Sequence, residues 1–176
     1  MKLKQNIPVP ELKGTDIYGH SFYMRDLRGN KIFLTLYRTA ACPFCNIRVH
    51  EVQKRSEEWK AKGVITIGIF ASTQEALMKY AGAQQPNFTF LANSHFLLYD
   101  VFGIKKARVG MYKSVLRVGT LFTSMTMRFF TMKTLGDSPI LPADFLINEN
   151  GVVERAYYGE DFGDHLPLDE VDKWTK

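Results

Sequence analysis

The sequence predicts an α/β domain with a mixed central sheet flanked by helices. Two apolar runs, 32–37 and 64–70, are rich in β-branched and aromatic residues and almost free of charge, which is typical of buried strands. Segments with a helical pattern follow both runs, and strands that alternate with helices indicate an α/β domain. Near the C-terminus, a turn at 148–151 separates the apolar runs 143–147 and 152–158, which predicts a hairpin and therefore some antiparallel pairing.

Length and composition favour one globular domain. A chain of 176 residues with 45% hydrophobic content can bury a sizeable core, and we expect a single domain over 1–176. No run has the length of a membrane span, and the N-terminal residues lack the apolar stretch of a signal peptide, so we expect a cytoplasmic protein. The net charge of +5 is not gathered in one basic run, so it does not indicate binding to nucleic acid.

The elements of the N-terminal half follow from turn residues and from helical periodicity. Between residues 8 and 30, Gly19 separates two short apolar runs, which predicts a hairpin before the first buried strand. After that strand, 43–62 is predicted to form a long helix with Trp59 on its apolar side. Gly63 is expected to end this helix, because glycine readily adopts the left-handed conformation found there.

Shorter elements are predicted beyond the second buried strand. The segment 72–75 has the sequence of a capping box, so we expect a helix from Ser72 to about residue 83. We expect a short edge strand at 88–91 and a short helix at 94–102. Apolar residues at helical spacing predict a C-terminal helix at 168–174.

Both cysteines lie in one C-x-x-C sequence, between the first buried strand and the long helix. Pro43 suits the first helical turn, where its missing N–H is not needed. At this position the unpaired N–H groups and the helix dipole favour a thiolate on Cys42, with Arg38 and Arg48 adding positive charge. Cys45 follows one turn later on the same face, close enough for a disulfide, and we expect it to be the more buried sulfur. The pattern predicts thiol redox chemistry with Cys42 as nucleophile.

The alternative uses of the two cysteines are a zinc site and two inert side chains. Structural zinc usually has four ligands, and the histidines are scattered without paired spacing: His20, His50, His95 and His165. We therefore expect no metal site. A polar turn after Gly159 is expected to be a solvated loop without a chemical role: Asp161, Asp164 and His165.

The order of elements resembles the thioredoxin-like fold and, within it, the peroxiredoxin-like (AhpC/TSA, redoxin) family. The resemblance covers about 8–158 and rests on three segments: the hairpin and turn that lead to 31–34, Thr39 three residues before Cys42, and 141–151. The chain departs from these relatives at three positions. Thr35 stands where peroxiredoxins have proline, Ala41 where thioredoxins have tryptophan, and Leu36 where thioredoxins have a buried aspartate.

The resemblance implies roles for several residues around the nucleophile. Thr39 would hydrogen-bond the Cys42 thiolate. Pro142 would be cis and face Cys42, which would leave the backbone of Leu141 free to pair with a substrate. An arginine further along the chain would support the thiolate, and Arg117 and Arg128 are the candidates.

The resemblance also implies a thiol-dependent oxidoreductase, with no metal, flavin or haem. As a peroxidase, Cys42 would attack a hydroperoxide and become a sulfenic acid, Cys45 would resolve it to a disulfide, and an external dithiol such as a thioredoxin-like protein would reduce that disulfide. Exchange with disulfide substrates is the alternative, because the Pro43-Phe44 insert resembles the Pro-Tyr insert of glutaredoxins. A redox-controlled binding protein without turnover is the third hypothesis.

An inserted segment at about 104–136 distinguishes this chain from many redoxins. The residues 101–136 include seven lysines and arginines and neither aspartate nor glutamate, together with many methionines and phenylalanines. Part of the segment must pack on the domain, on a second subunit in a homodimer, or on a ligand. We hypothesise that it forms one wall of the Cys42 pocket, where Arg117 and Arg128 would attract a negatively polarised substrate.

Overall fold

The computed structural model describes residues 2–104 and 140–176, and a five-stranded mixed sheet forms the centre of the described region. The strand order is β5–β4–β3–β6–β7, and a separate two-stranded hairpin, β1–β2, precedes the sheet. The strands are β1 (Lys13–Thr15), β2 (Ser21–Tyr23), β3 (Lys31–Tyr37), β4 (Val64–Phe70), β5 (Thr89–Ala92), β6 (Ala143–Ile147) and β7 (Val153–Tyr158). The predicted α/β class is therefore confirmed.

Four α-helices accompany the sheet within the described residues. They are α1 (Pro43–Ala61), α2 (Gln74–Lys79), α3 (Leu97–Val101) and α4 (Leu168–Trp174), with single 3-10 turns at Met24–Leu27 and Ala81–Gln84. The bounds of α1 and α4 agree with the sequence prediction. Within the described ranges, no helix combines the length and the apolar character needed to cross a lipid bilayer.

The central strand β3 determines where the active-site segment lies. It pairs in parallel with β4 along its whole length and antiparallel with β6. The prediction of a mixed sheet is therefore confirmed. The side chains of Leu34 and Leu36 enter one apolar cluster, while Phe33 and Tyr37 belong to clusters on the side of α1. Because both faces are covered, β3 is apolar from Ile32 to Tyr37 except at Thr35, as parallel strands usually are.

Two short helices begin later than predicted. The cap of α2 is Thr73, whose Oγ1 accepts a hydrogen bond from the Ala76 N–H at 3.2 Å. Ser72 does not cap this helix, because its hydroxyl accepts the backbone N–H of Ala40 at 2.9 Å. The helix α3 begins only at Leu97, since Phe96 has a left-handed backbone with φ 59°.

The C-terminal helix is anchored to α1 through Asp172. One carboxylate oxygen of Asp172 accepts the indole N–H of the buried Trp59 at 2.7 Å, and the other pairs with Arg55. We predict that Asp172→Ala lowers the free energy of unfolding by about 1–3 kcal/mol, because the indole N–H loses its acceptor. Urea denaturation measures this change. Asp169→Ala is the matched control, since Asp169 pairs with the same Arg55 in an exposed position and should matter much less. Equal effects of the two variants would contradict the prediction.

Candidate active site

The two cysteines lie at the connection between the end of β3 and the start of α1. Cys42 is the cap residue immediately before Pro43, and its carbonyl accepts the N–H of Asn46 at 3.0 Å. The predicted strand-to-helix placement is thus confirmed. Both sulfurs are free thiols in fully buried residues, so the expected difference in burial between Cys42 and Cys45 is not found.

Arg38 is the charged group in contact with the Cys42 sulfur. Its Nη1 donates to Cys42 Sγ at 3.0 Å, and its Nε donates to the carbonyl of Ile140 at 2.9 Å. The guanidinium carbon lies 3.3 Å from the ring centroid of Phe162. Arg38 is fully buried, and a buried cation is costly unless acceptors or anions compensate for it. The contact therefore favours the anionic form of Cys42.

The pKa values of the two thiols are shifted in opposite directions. Burial alone raises the pKa of Cys42, but the hydrogen bond with Cys45 and the charge of Arg38 outweigh burial and bring this pKa down to about 6. Burial raises the pKa of Cys45 well above its usual value, and the adjacent Cys42 raises it further. At neutral pH the pair therefore holds one thiolate, on Cys42, and one thiol, on Cys45.

Thr39 lies three residues before the nucleophile and makes no hydrogen bond to its sulfur. The backbone carbonyl of Thr39 accepts the N–H of Cys42 at 3.1 Å. Its hydroxyl oxygen is shielded from solvent and has no hydrogen-bond partner among the residues that the structure describes. The hydrogen bond to the thiolate that the resemblance implies is therefore not present in this arrangement.

The residues before β6 are brought to the site, but not in the expected backbone geometry. Leu141 packs against the apolar cluster that contains Cys42. The described residues contain no cis peptide bond, so the expectation of a cis Pro142 is wrong. Pro142 precedes the strand, where its missing N–H is not required, and its carbonyl accepts the N–H of Gly159 at 3.0 Å. An ordinary trans bond meets these constraints.

Arg117 and Arg128 lie outside the described residues, as does the predicted insertion 104–136 apart from Ile104.

The turn at 159–166 is not the solvated loop that the sequence suggested. Asp161, Phe162 and His165 are all less than 10% exposed. Phe162 belongs to the apolar cluster of the two cysteines, and His165 places its Nδ1 3.0 Å from a carboxylate oxygen of Asp144. Sequence reasoning missed Phe162, and the available signal was an aromatic residue in an otherwise polar turn.

A second buried polar group surrounds Asp144 beneath α1. Besides His165, the Asp144 carboxylate accepts the N–H of Leu166 at 2.7 Å, and Arg48 approaches it to 4.0 Å while donating to the Leu166 carbonyl. Burial alone raises the pKa of Asp144, but the contacts with His165 and Arg48 reverse this and lower it. Arg48 thus makes its contacts with Asp144 and Leu166, whereas Arg38 contacts the Cys42 sulfur.

No group of three or more histidine, cysteine, aspartate or glutamate side chains in 2–104 and 140–176 is arranged to hold a metal ion. The arrangement can instead perform thiol chemistry, with a stabilised thiolate beside a protonated thiol.

Comparison with known proteins also indicates thiol chemistry. Residues 6–156 match the AhpC/TSA family. The chain is 25% identical over 177 residues to Peroxiredoxin Bcp of Escherichia coli (strain K12), covering 99% of this chain and 96% of the relative.

Two solved structures share the fold over almost the whole chain. Peroxidoxin BcpB from Mycobacterium tuberculosis has a TM-score of 0.69 at 16% identity, covering 98% of this chain and 94% of that one. A putative thiol:disulfide interchange protein DsbE from Chlorobium tepidum has a TM-score of 0.65 at 18% identity, covering 99% and 96%. The thioredoxin-like fold is thereby confirmed.

The contact between Arg38 and the sulfur predicts a dependence of thiol reactivity on this side chain. Arg38→Met should raise the pKa of Cys42 by about one to three units. Burial raises this pKa, and without the cation the positive charge that counteracts burial is lost. The measurement is the pH dependence of iodoacetamide alkylation, with mass spectrometry to assign the labelled cysteine. Arg48→Met is the matched control and should leave the midpoint near pH 6. Equal shifts in both variants would show that general positive charge, and not the Arg38 contact, sets this pKa.

The Asp144 group predicts a particular dependence of stability on pH. Because folding lowers the pKa of Asp144, its ionised form stabilises the native state above the unfolded pKa of about 3.9, and this contribution is lost as the pH falls through the folded pKa. Asp144→Asn should therefore lower the free energy of unfolding at pH 7, with the deficit shrinking below about pH 4. Urea denaturation at several pH values tests this. Asp26→Asn, an exposed control, should lack the effect. A deficit that does not change with pH would contradict it.

Proposed function

This chain belongs to the AhpC/TSA family, a family of oxidoreductases, and from this premise we propose that it is a thiol peroxidase with Cys42 as nucleophile and Cys45 as resolving residue. The observation that carries the proposal is the 3.0 Å contact between Arg38 and the Cys42 sulfur in a fully buried site. A cation held there stabilises both the resting thiolate and the negative charge that moves away from it during attack. Similarity to Peroxiredoxin Bcp over almost the full length supports the same activity.

In the first step, the Cys42 thiolate attacks the terminal oxygen of a hydroperoxide. A sulfur–oxygen bond forms while the oxygen–oxygen bond breaks, which gives a sulfenic acid on Cys42 and an alkoxide or hydroxide that is protonated as it leaves. The sulfur is oxidised by two electrons and the peroxide is reduced by two. Arg38 lies within hydrogen-bond distance of the sulfur from which this charge departs.

In the second step, Cys45 resolves the sulfenic acid. Its sulfur bonds to the Cys42 sulfur, and the hydroxyl group leaves with the thiol proton of Cys45 as water. The raised pKa of Cys45 keeps that proton in place until the step occurs. The two residues are separated by one turn at the start of α1, so the disulfide requires no second site elsewhere in the chain.

An external dithiol, such as a thioredoxin-like protein, then reduces the disulfide and restores the thiolate and the thiol. A catalytic cysteine pair that is reset in this way requires a reducing compartment, so we place the protein in the cytoplasm.

Thr39, Leu141 and Pro142 are proposed to bind the substrate. The hydroxyl of Thr39 has no hydrogen-bond partner among the described residues, and Thr39 lies in the turn that ends at Cys42, so this hydroxyl can bond to the peroxide. Leu141 supplies an apolar wall and a backbone group, and Pro142 fixes the chain direction there. The roles assigned to Arg117 and Arg128 from the resemblance remain part of the proposal.

Thiol–disulfide exchange is the second candidate function. It is favoured by the position of both cysteines in the first turn of one helix, where Cys45 can release a mixed disulfide formed on Cys42. The two activities share the nucleophile and differ in the electrophile that Cys42 attacks.

The proposal predicts distinct behaviour for the two cysteine variants. Peroxide consumption coupled to a dithiol should be lost in Cys42→Ser, because no thiolate remains at the helix start. Cys45→Ser should consume about one equivalent of peroxide and then stop or slow, with sulfenic or sulfinic acid accumulating on Cys42 by mass spectrometry. Continued turnover in Cys42→Ser would refute the assignment. If wild type reduces insulin disulfides rapidly and peroxide no faster than Cys42→Ser does, disulfide exchange is the function.

A further inference from the structure

The Arg38 guanidinium packs against the aromatic ring of Phe162. A separation of 3.3 Å from the guanidinium carbon to the ring centroid of Phe162 places the cation on the negative face of the ring. The donors of a guanidinium lie in its own plane, so a cation lying on the ring points its N–H groups sideways. In that plane Nε reaches the Ile140 carbonyl and Nη1 reaches the Cys42 sulfur.

The loop that carries Phe162 is held at both ends by the fold. Asp164 accepts the hydroxyl of Tyr157 at 2.7 Å and the N–H of Glu160 at 2.8 Å, which closes the turn around Phe162. The chain passes so close to itself that a Cβ on Gly159 would lie 2.2 Å from the Asp164 carbonyl oxygen.

Beyond the turn, Asp144 fixes the chain through Leu166 and His165. The carboxylate accepts the N–H of Leu166 at 2.7 Å and lies 3.0 Å from His165 Nδ1. The loop that places Phe162 against Arg38 is therefore anchored to β6 by the hydrogen bond between Leu166 and Asp144. Long side chains such as arginine carry several rotatable bonds, and a fixed platform removes the alternative orientations.

We propose that Phe162 is a positioning residue for the nucleophile, holding the Arg38 guanidinium in the one orientation that contacts the Cys42 sulfur. In this role Phe162 acts through Arg38. The inference rests on Cys42 being the reactive thiol of the proposed function, and it does not depend on which electrophile Cys42 attacks.

The test is the pH dependence of Cys42 alkylation by iodoacetamide in the reduced full-length protein. Phe162→Leu should raise the midpoint by about half a unit to one unit, which slows alkylation at pH 6 by about two- to fivefold. Phe162→Tyr keeps an aromatic face and should restore the wild-type midpoint. Phe162→Met removes the ring at similar volume and serves if the leucine variant fails to fold.

A control and a double variant separate positioning from packing. Phe90 belongs to the same apolar cluster as Phe162 but packs against Phe70 and Phe88, so Phe90→Leu should lower stability without moving the midpoint. In an Arg38→Met background, Phe162→Leu should produce no further shift, because the side chain through which it acts is gone. An unchanged midpoint in folded Phe162→Leu or Phe162→Met, or a shift that persists without Arg38, would overturn the proposal.

Alkylation needs no peroxide, so the result is independent of the peroxidase assignment. If peroxide reduction fails while the midpoint shifts as described, the proposed function is wrong and the positioning role stands. If peroxide reduction succeeds while the midpoint does not move, the positioning role is wrong.

Discussion

A cation buried beside a thiol requires an anion, and this requirement organises the active site. Arg38 is fully buried, so its charge is compensated by acceptors that the fold brings to it, including the Ile140 carbonyl and the Cys42 sulfur. The Cys42 sulfur belongs to a residue only four positions from Arg38, whereas Ile140 is about a hundred residues away and reaches Arg38 only through the fold. The thiolate is therefore a product of the whole fold as well as of the local C-x-x-C sequence.

The position of Cys42 at the start of α1 adds to this effect. The cap position places the sulfur near unpaired N–H groups of the first turn, and the same turn supplies the Cys45 thiol as a hydrogen-bond donor. One geometry therefore activates Cys42, protects the proton of Cys45 and keeps the two sulfurs within reach of a disulfide. The second buried group, around Asp144, gives Arg48 its own partner and ties the loop of Phe162 to β6.

The elements that the sequence predicted well are those whose signals are local. The runs that form β3 and β4 are apolar and bounded by turns, and the bounds of α4 follow from its spacing. The charge of Arg38 near the sulfur was expected and is confirmed. The predictions were wrong where contacts between residues far apart in the sequence determine the local structure. The hydroxyl of Ser72 bonds to Ala40 and does not cap α2, and the burial of Phe162 and His165 depends on side chains of other elements.

The environment of Cys42 creates a thiolate that we expect to be suited to hydroperoxides. The most direct measurement is rapid-quench mass spectrometry of Cys42 oxidation in the reduced protein, with hydrogen peroxide, an organic hydroperoxide and a protein disulfide, as a function of pH. We expect a hydroperoxide to react fastest, with a rate that rises to a plateau around a midpoint near pH 6. A midpoint near the value of about 8.5 for an ordinary thiol, or faster reaction with the disulfide, would contradict this account.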